Sequence, residues 1–336
     1  MFLKFPKPNR GFLAGMALCL CASLLAMSAA QLRWNHNLQL SALTLAIVAG
    51  MAVGNSVPAS GLQRLHPGLR YSQQTLLRLG IILYGLRLTV RDLANLGPRA
   101  LVLDLTVIGS VLMMGYWIGV RVLRLDRDTA LLVSAGSGIC GAAAVLATDR
   151  VIESESHKVS VAVATVVVFG TAAMFLYPLL YPHSGFSERQ FGIYTGATVH
   201  EVAQALAAGR AVSQTASDTA VITKMLRVLL LAPVLLIISR LRRGSGAGST
   251  RRISHPWFVF WFGAVIVVQS FTKFPAAVRS HLIDLDTVLL SAAMFALGVA
   301  TRWQQLKAAG TKPLLLALII FCGLVTGGWV MTRLVV

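Results

Sequence analysis

The chain has 336 residues, of which 56% are hydrophobic and 12% are charged, and its mean hydropathy is +0.73. Soluble domains usually carry about 25% charged residues, so this composition excludes an ordinary soluble enzyme and predicts an all-α integral membrane protein. The net charge of +18 does not indicate a nucleic-acid partner, because the basic residues are dispersed at the ends of apolar segments, as in the cytoplasmic loops of membrane proteins.

The first apolar segment covers 12–30 and follows three basic residues, Lys4, Lys7 and Arg10. It fits both a first transmembrane helix and a signal peptide, because small residues at its end would suit a cleavage site. We favour a retained helix in region 1–37, since the segment is longer than a usual signal core and further apolar segments follow at once.

Eight further apolar segments are predicted as membrane spans, for which a helix needs about 20 residues. They cover 38–57, 72–90, 100–120, 159–181, 219–239, 257–271, 287–300 and 313–332. Two shorter segments, 130–148 and 191–209, are interrupted by glycines. The pattern predicts a single transmembrane domain over 1–336 with about 9–11 helices, in which 38–181 forms the first half and 190–336 forms the second half.

Arginine-rich loops set the predicted orientation. The loops 121–128 and 240–252 contain three and five arginines, and such loops remain in the cytoplasm. The N-terminus is then cytoplasmic and the C-terminus periplasmic in a bacterial inner membrane.

The chain contains internal repeats. One alignment pairs Gly97 with Gly310, an offset of 213 residues, and another pairs Gly136 with Gly196, an offset of 60. If the two short segments crossed the membrane, one pair of repeats would be parallel and the other inverted. If both are re-entrant, every pair is inverted. We therefore favour two re-entrant segments with glycine-rich tips, a backbone form that membranes tolerate only where protein or a cavity shields it.

The first glycine-rich tip contains Gly136, Ser137, Gly138, Cys140 and Gly141. Inverted repeats with interrupted helices indicate a transporter binding site at the repeat interface. Glycines let the backbone approach a ligand closely, and the free N–H groups of the following half-helix would favour an anion. We therefore predict that these five residues bind the substrate. The alternative is close helix packing through small residues.

The second tip contains Thr198, His200, Glu201 and Gln204. An imidazole and a carboxylate next to each other in a membrane segment are energetically costly, which favours a functional role. We predict that His200, Glu201 and Gln204 couple transport to an ion, and that Thr198 contacts the substrate. The alternative is a fixed ion pair between Glu201 and an arginine. A zinc-peptidase motif is excluded because Gln204 stands where a second histidine is needed, and we expect neither a metal nor a cofactor.

Two cations, Lys224 and Arg227, lie three residues apart on one predicted helix face. Such a pair can bind an oxyanion, with the arginine acting through its two-pronged guanidinium. The alternative is that the two side chains reach the membrane surface or pair with Glu201.

Two more intramembrane charges, Arg78 and Asp104, are candidates. Arg78 is predicted to lie deeper in the membrane than Arg87. Asp104 either pairs with Arg99 at the membrane interface, which we favour, or carries a proton.

Five stretches of the chain resemble a known family. They are LLRLGIILYGLRLT (76–89), GSGICGAAAVLAT (136–148), VAVATVVVFGT (161–171), TVHEVAQALAAG (198–209) and KMLRVLLLAP (224–233). They look like the YeiH-type family of proposed sulfate exporters, and the resemblance runs from residue 38 to the C-terminus. The family is grouped with the cation/proton antiporter and anion transporter superfamily. The resemblance implies a multi-pass inner-membrane protein with inverted repeats, and sulfate or a related sulfur oxyanion as substrate. It implies no particular functional residues.

The sequence as a whole predicts a secondary transporter that exports a small anion, coupled to H⁺ or Na⁺, and not an enzyme. No GxxxxGK[ST] phosphate-binding loop occurs, which argues against direct ATP coupling. The alternatives are a passive anion channel and a transporter of organic acids or sulfonates. The expected partners are the anion, the coupling ion and the lipid bilayer, with a homo-oligomer left open.

Overall fold

The computed structural model describes residues 10–31, 41–243, 257–272, 275–304 and 310–336. All regular elements in these ranges are helical. Six helices of the described part are long and apolar enough to cross a membrane: Arg10–Ala30, Gly97–Val122, His157–Ser184, Gln214–Leu241, Ala277–Ala300 and Thr311–Val335. The predicted all-α integral membrane fold is therefore confirmed. Lys4, Lys7 and most of the basic loop 240–252 lie outside the described residues.

The helices follow one another with short connections. They are α1 (Arg10–Ala30), α2 (Ala42–Ser56), α3 (Ala59–Gln63), α4 (His66–Tyr71), α5 (Leu77–Tyr84), α6 (Val90–Trp117), α7 (Arg127–Gly138), α8 (Ala142–Ile152), α9 (Ser156–Ser184), α10 (Glu188–Thr198), α11 (Val202–Arg210), α12 (Gln214–Leu229), α13 (Leu231–Arg243), α14 (Trp257–Phe271), α15 (Ala276–Ala300) and α16 (Thr311–Val335). A π-helical turn, Ser72–Leu76, joins α4 to α5, and a second one, Ile118–Val122, extends α6. The described chain divides into two compact units, the first within Met1–Asp92 and Trp257–Trp303 and the second within Leu93–Pro256 and Gln304–Val336.

Close packing between α2 and α15 holds the first unit together. A Cβ atom at Gly50 would lie 2.2 Å from the carbonyl oxygen of Phe295, and one at Gly54 would lie 2.4 Å from that of Val299. Only glycine allows the backbones to come this close. Small residues serve this purpose in membranes, where van der Waals contact between helices replaces the hydrophobic effect.

A buried ion pair adds to this unit. Arg87, in the turn after α5, lies 2.9 Å from the carboxylate of Asp286 on α15, whose side chain is 1% exposed. The depth of Arg78 in the membrane stays a prediction; its side chain is exposed, and its guanidinium lies 6.0 Å from the ring centre of Phe258. Arg87 is drawn inward by Asp286, a residue that the sequence did not single out.

The second unit contains two helical hairpins. In the first, α7 ends at Gly138 and α8 begins at Ala142, and in the second, α10 ends at Thr198 and α11 begins at Val202. Both boundaries of the second hairpin thus lie 60 residues after those of the first, which is the offset of the sequence repeat. Hairpin 1 denotes α7 and α8 below, and hairpin 2 denotes α10 and α11.

The outer ends of each hairpin lie side by side. Lys158 at the start of α9 lies 3.2 Å from the carboxylate of Asp126, which caps the start of α7. The hydroxyl of Ser213, which caps α12, donates a hydrogen bond of 2.8 Å to Glu188 at the start of α10. Each hairpin therefore returns to the point from which it starts.

Two long helical runs of this unit begin at a glycine in the left-handed region of backbone space. The φ angle is 71° at Gly97 and 80° at Gly310, and residues other than glycine rarely adopt such values. The helical runs that they introduce, Gly97–Val122 and Thr311–Val335, end 213 residues apart, as the longer sequence repeat requires.

Candidate functional site

Helix α12 presents two fully buried cations, Lys224 and Arg227, to the turns of the two hairpins. Arg227 donates from Nε to the carbonyl oxygen of Gly138 at 2.9 Å, and a second hydrogen bond runs from Nη2 to the same oxygen. Lys224 donates from Nζ to the carbonyl oxygen of Val199. Since Gly138 ends α7 and Val199 caps α10, each cation lies at the negative end of one half-helix.

Lys224 and Arg227 satisfy backbone carbonyl groups at the ends of two half-helices. The last carbonyl groups of a helix have no partner within the helix, and inside a bilayer they must be satisfied by protein. The two side chains perform this task, so they neither reach the membrane surface nor form the predicted alternative pair with Glu201.

Glu201 occupies the positive ends of the other two half-helices. Its Oε1 accepts a hydrogen bond of 3.2 Å from the backbone N–H of Ala142, the first residue of α8. Glu201 also caps its own helix α11, where it accepts from the N–H of Gln204, while the Gln204 side chain accepts from the N–H of Glu201 at 3.2 Å. Free N–H groups and the helix dipole both stabilise a carboxylate in this position. The end of hairpin 1 that was predicted to attract an anion is thus occupied by a side chain of hairpin 2.

Two glycines make room for these contacts. Gly141 has a φ angle of 73°, and a Cβ atom there would lie 2.4 Å from Cγ of Glu201. A Cβ atom at Gly170 on α9 would lie 2.0 Å from Oε1 of Gln204. The close backbone approach that was predicted for Gly141 therefore exists, and the group that approaches it is Glu201.

Several polar side chains of the second unit are buried and have no hydrogen-bond partner among the described residues. They include both oxygens of Asp104, both ring nitrogens of His200, Nη1 of Arg227 and the hydroxyl groups of Ser137, Thr195 and Thr223. These residues are at most 1% exposed. Buried polar groups nearly always have a partner. Each of these groups is therefore a candidate for hydrogen bonding to water, an ion or a ligand.

Asp104 is buried and does not form the predicted pair with Arg99. It is fully buried, whereas Arg99 is exposed, and the expected pair between them is not formed. Asp104 interacts electrostatically with Arg227 and Lys224 instead. Residues five positions apart point about 140° away from each other around a helix, so Arg99 cannot follow Asp104 into the core.

The remaining predicted residues serve mainly in packing. The hydroxyl of Thr198 donates to the carbonyl oxygen of Tyr194 at 2.6 Å, within its own helix. A Cβ atom at Gly136 would lie 2.6 Å from Val145, so this glycine allows α7 and α8 to pack closely. Cys140 is 5% exposed and interacts electrostatically with both cations of α12. The contacts of Gly136 are thus those of the packing alternative, whereas Thr198 bonds within its own helix and Cys140 interacts with the cations of α12.

Charged side chains form contacts at the outer end of hairpin 1. Lys158 contacts Glu155 as well as Asp126, both at 3.2 Å. Partial burial raises the pKa of Asp126, but hydrogen bonds from Thr129 and the contact with Lys158 outweigh it and hold the pKa below its usual range. Asp126 is therefore ionised at neutral pH, and its contact with Lys158 joins the start of α7 to the start of α9.

Known proteins match this chain over most of its length. A family described as conserved hypothetical protein 698 matches residues 14–317. The UPF0324 inner membrane protein YeiH of Escherichia coli K12 is 46% identical over 322 residues, which cover 94% of this chain and 92% of the relative. A UPF0324 membrane protein of Pasteurella multocida is 46% identical over 296 residues, which cover 87% and 88%. No solved structure matches. The names of these relatives state a membrane location and no substrate.

Proposed function

This chain belongs to the conserved hypothetical protein 698 (UPF0324) family, as its YeiH resemblance predicted, and from this membership and the buried charged centre we propose that it is a secondary transporter of a small anion. One observation carries the proposal: four half-helix ends of the two hairpins meet Lys224, Arg227 and Glu201 inside one unit. Transporter sites are commonly built in this way, from interrupted helices whose ends face the substrate and the coupling ion.

Both hairpins are proposed to re-enter the membrane, one from each face. The contacts Asp126–Lys158 and Glu188–Ser213 support this, because a segment that crossed the membrane would hold its two ends about 30 Å apart. The arginines of loop 121–128 favour a cytoplasmic position for the outer ends of hairpin 1. The outer ends of hairpin 2 then lie at the periplasmic face. This arrangement makes all the repeat pairs inverted.

The anion is proposed to bind beside the turns of the hairpins. Nη1 of Arg227 and the hydroxyl groups of Ser137, Thr195 and Thr223 are buried donors without a partner among the described residues. An arginine with several hydroxyl groups is well suited to an oxyanion, which only accepts hydrogen bonds when it is fully ionised. The YeiH resemblance adds sulfate or a related sulfur oxyanion as the class of substrate.

Coupling to H⁺ or Na⁺ remains part of the proposal, with His200, Glu201 and Gln204 as its predicted residues. The described hydrogen bonds distinguish His200 from the other two residues. Glu201 and Gln204 hold helix ends and each other, whereas His200 is 1% exposed with both ring nitrogens unpartnered in the described structure. A neutral imidazole in such a position can accept a proton when access changes.

Uptake into proteoliposomes tests the proposal. We expect saturable uptake of radiolabelled sulfate, sulfite or thiosulfate, driven by an imposed pH or sodium gradient. The variant Arg227→Gln should lower this uptake about tenfold or more, because it removes a charged donor from the site, whereas Arg210→Gln makes the same change at an exposed arginine of the same unit and should not. Absence of saturable flux for all three anions would overturn the substrate class, and unchanged flux in Arg227→Gln would overturn the site.

A further inference from the structure

The buried centre of the second unit contains two basic and two acidic side chains. Lys224 and Arg227 are its cations, and Asp104 and Glu201 are its carboxylates. Both cations interact electrostatically with Asp104, and Lys224 also interacts with Glu201. Charges in low-dielectric surroundings are tolerated only when they are paired. A further charge that enters this centre must therefore be compensated.

The two carboxylates differ in whether their charge can change without breaking hydrogen bonds. Glu201 accepts hydrogen bonds from the backbone at the starts of α8 and α11, so a change in its charge would weaken both hairpins. Asp104 is fully buried on α6, and neither of its oxygens has a hydrogen-bond partner in the described part of the chain. Its charge can change without breaking a hydrogen bond.

The other elements packed on α6 bring no charge to Asp104. A Cβ atom at Gly138 of α7 would lie 3.0 Å from Val111 of α6, and one at Gly115 of α6 would lie 2.9 Å from Ile320 of α16. The described contact faces, 130–138 of α7 and 316–324 of α16, contain no charged side chain. Cys140, beyond the end of α7, and His200, after the end of α10, are titratable and interact with the same two cations. Among the described residues, the charged groups that interact electrostatically with Asp104 are Lys224 and Arg227.

We propose that Asp104 is the proton-carrying acid of the anion site: it takes up a proton when a small anion binds beside Lys224 and Arg227 and releases it when the anion leaves. This inference rests on the proposed function. The anion and the ionised carboxylate compete for the same two cations, and protonation of Asp104 releases the cations to the anion. A proton from solvent adds to one carboxylate oxygen and no other bond changes. The proton and the anion then move in the same direction.

Proton uptake on binding tests this directly. Purified protein in nanodiscs would be mixed with sulfate, sulfite or thiosulfate in weakly buffered solution containing a pH indicator. Sulfate carries no proton at neutral pH, so it isolates the proton that the protein takes up. We expect about one proton per bound anion, and an affinity that changes about tenfold per pH unit. Asp104→Asn should abolish both effects, whereas Asp284→Asn, at an exposed aspartate, should retain them.

Infrared spectroscopy is a second measurement of whether Asp104 takes up a proton, and it does not require an anion. Infrared difference spectra between acidic and alkaline pH should contain the stretching band of a protonated carboxyl group that Asp104→Asn lacks. Proton uptake that persists in Asp104→Asn would overturn the assignment, and so would an infrared band that survives in this variant. If none of the three anions bound the wild-type protein, the proposed function would fail for this substrate class, while the infrared band would still decide whether Asp104 titrates.

Discussion

The substitution Gly141→Ala tests the contact between the two hairpins most sharply. Gly141 has a φ angle of 73°, which costs a residue with a Cβ atom about 1–3 kcal/mol. The new methyl group would also lie 2.4 Å from Cγ of Glu201, so the Glu201 side chain must move and leave the start of α8. The overlap adds about 1–3 kcal/mol and the lost cap about 1 kcal/mol. We therefore expect a destabilisation of about 3–7 kcal/mol.

Thermal unfolding of the detergent-solubilised protein, followed by tryptophan fluorescence, measures this effect. A loss of this size should lower the apparent Tm by roughly 5–10 °C. Gly109→Ala is the matched control, because Gly109 lies in helix α6 of the same unit and a Cβ atom there would meet no atom within 4 Å. This control should be neutral or slightly stabilising, since alanine favours helix more than glycine does. Equal apparent Tm values for the two variants would refute the described contact between Gly141 and Glu201.

Three further predictions concern stability and can be measured by the same thermal assay. Gly170→Ala should destabilise by about 1–3 kcal/mol, because its methyl group would overlap Oε1 of Gln204; an apparent Tm equal to that of Gly109→Ala would contradict this. Asp286→Asn should destabilise by about 3 kcal/mol, since it leaves the charge of Arg87 without its partner, and restored stability in Asp286→Asn with Arg87→Gln would confirm that the pair is responsible. The lowered pKa of Asp126 means that its contribution is present at neutral pH and is lost as the pH falls below the usual range of an aspartate. Asp126→Asn should therefore lose stability at neutral pH and show a smaller further loss in acid, and an unchanged acid profile would argue against this role.

The sequence predicted the helices and their interruptions well, for simple physical reasons. A span must be apolar over about 20 residues, so segments such as α16 are visible in composition alone. The interruption at Gly141 was visible because positive φ angles require glycine. The helix ends also follow the repeat offsets, since homologous segments end at corresponding residues.

The partners of the buried charges were harder to predict. Lys224 and Arg227 were identified as important, but their acceptors are backbone carbonyl groups, and no sequence pattern identifies those. The pair expected between Asp104 and Arg99 was wrong because helix rotation separates residues five apart. Arg87 was underestimated because its partner, Asp286, lies far away in the chain. Tertiary packing, and not local sequence, decided each of these cases.

Trans-stimulation in proteoliposomes tests the central claim, that this chain is an anion carrier, most directly. Vesicles preloaded with unlabelled sulfite, sulfate or thiosulfate would be diluted into the labelled anion, and initial uptake would be compared with that into empty vesicles. A carrier alternates its single site between the two faces, so we expect saturable uptake that the internal anion accelerates, and that Arg227→Gln lacks. Uptake that neither saturates nor responds to the internal anion would contradict the account and indicate a passive pore.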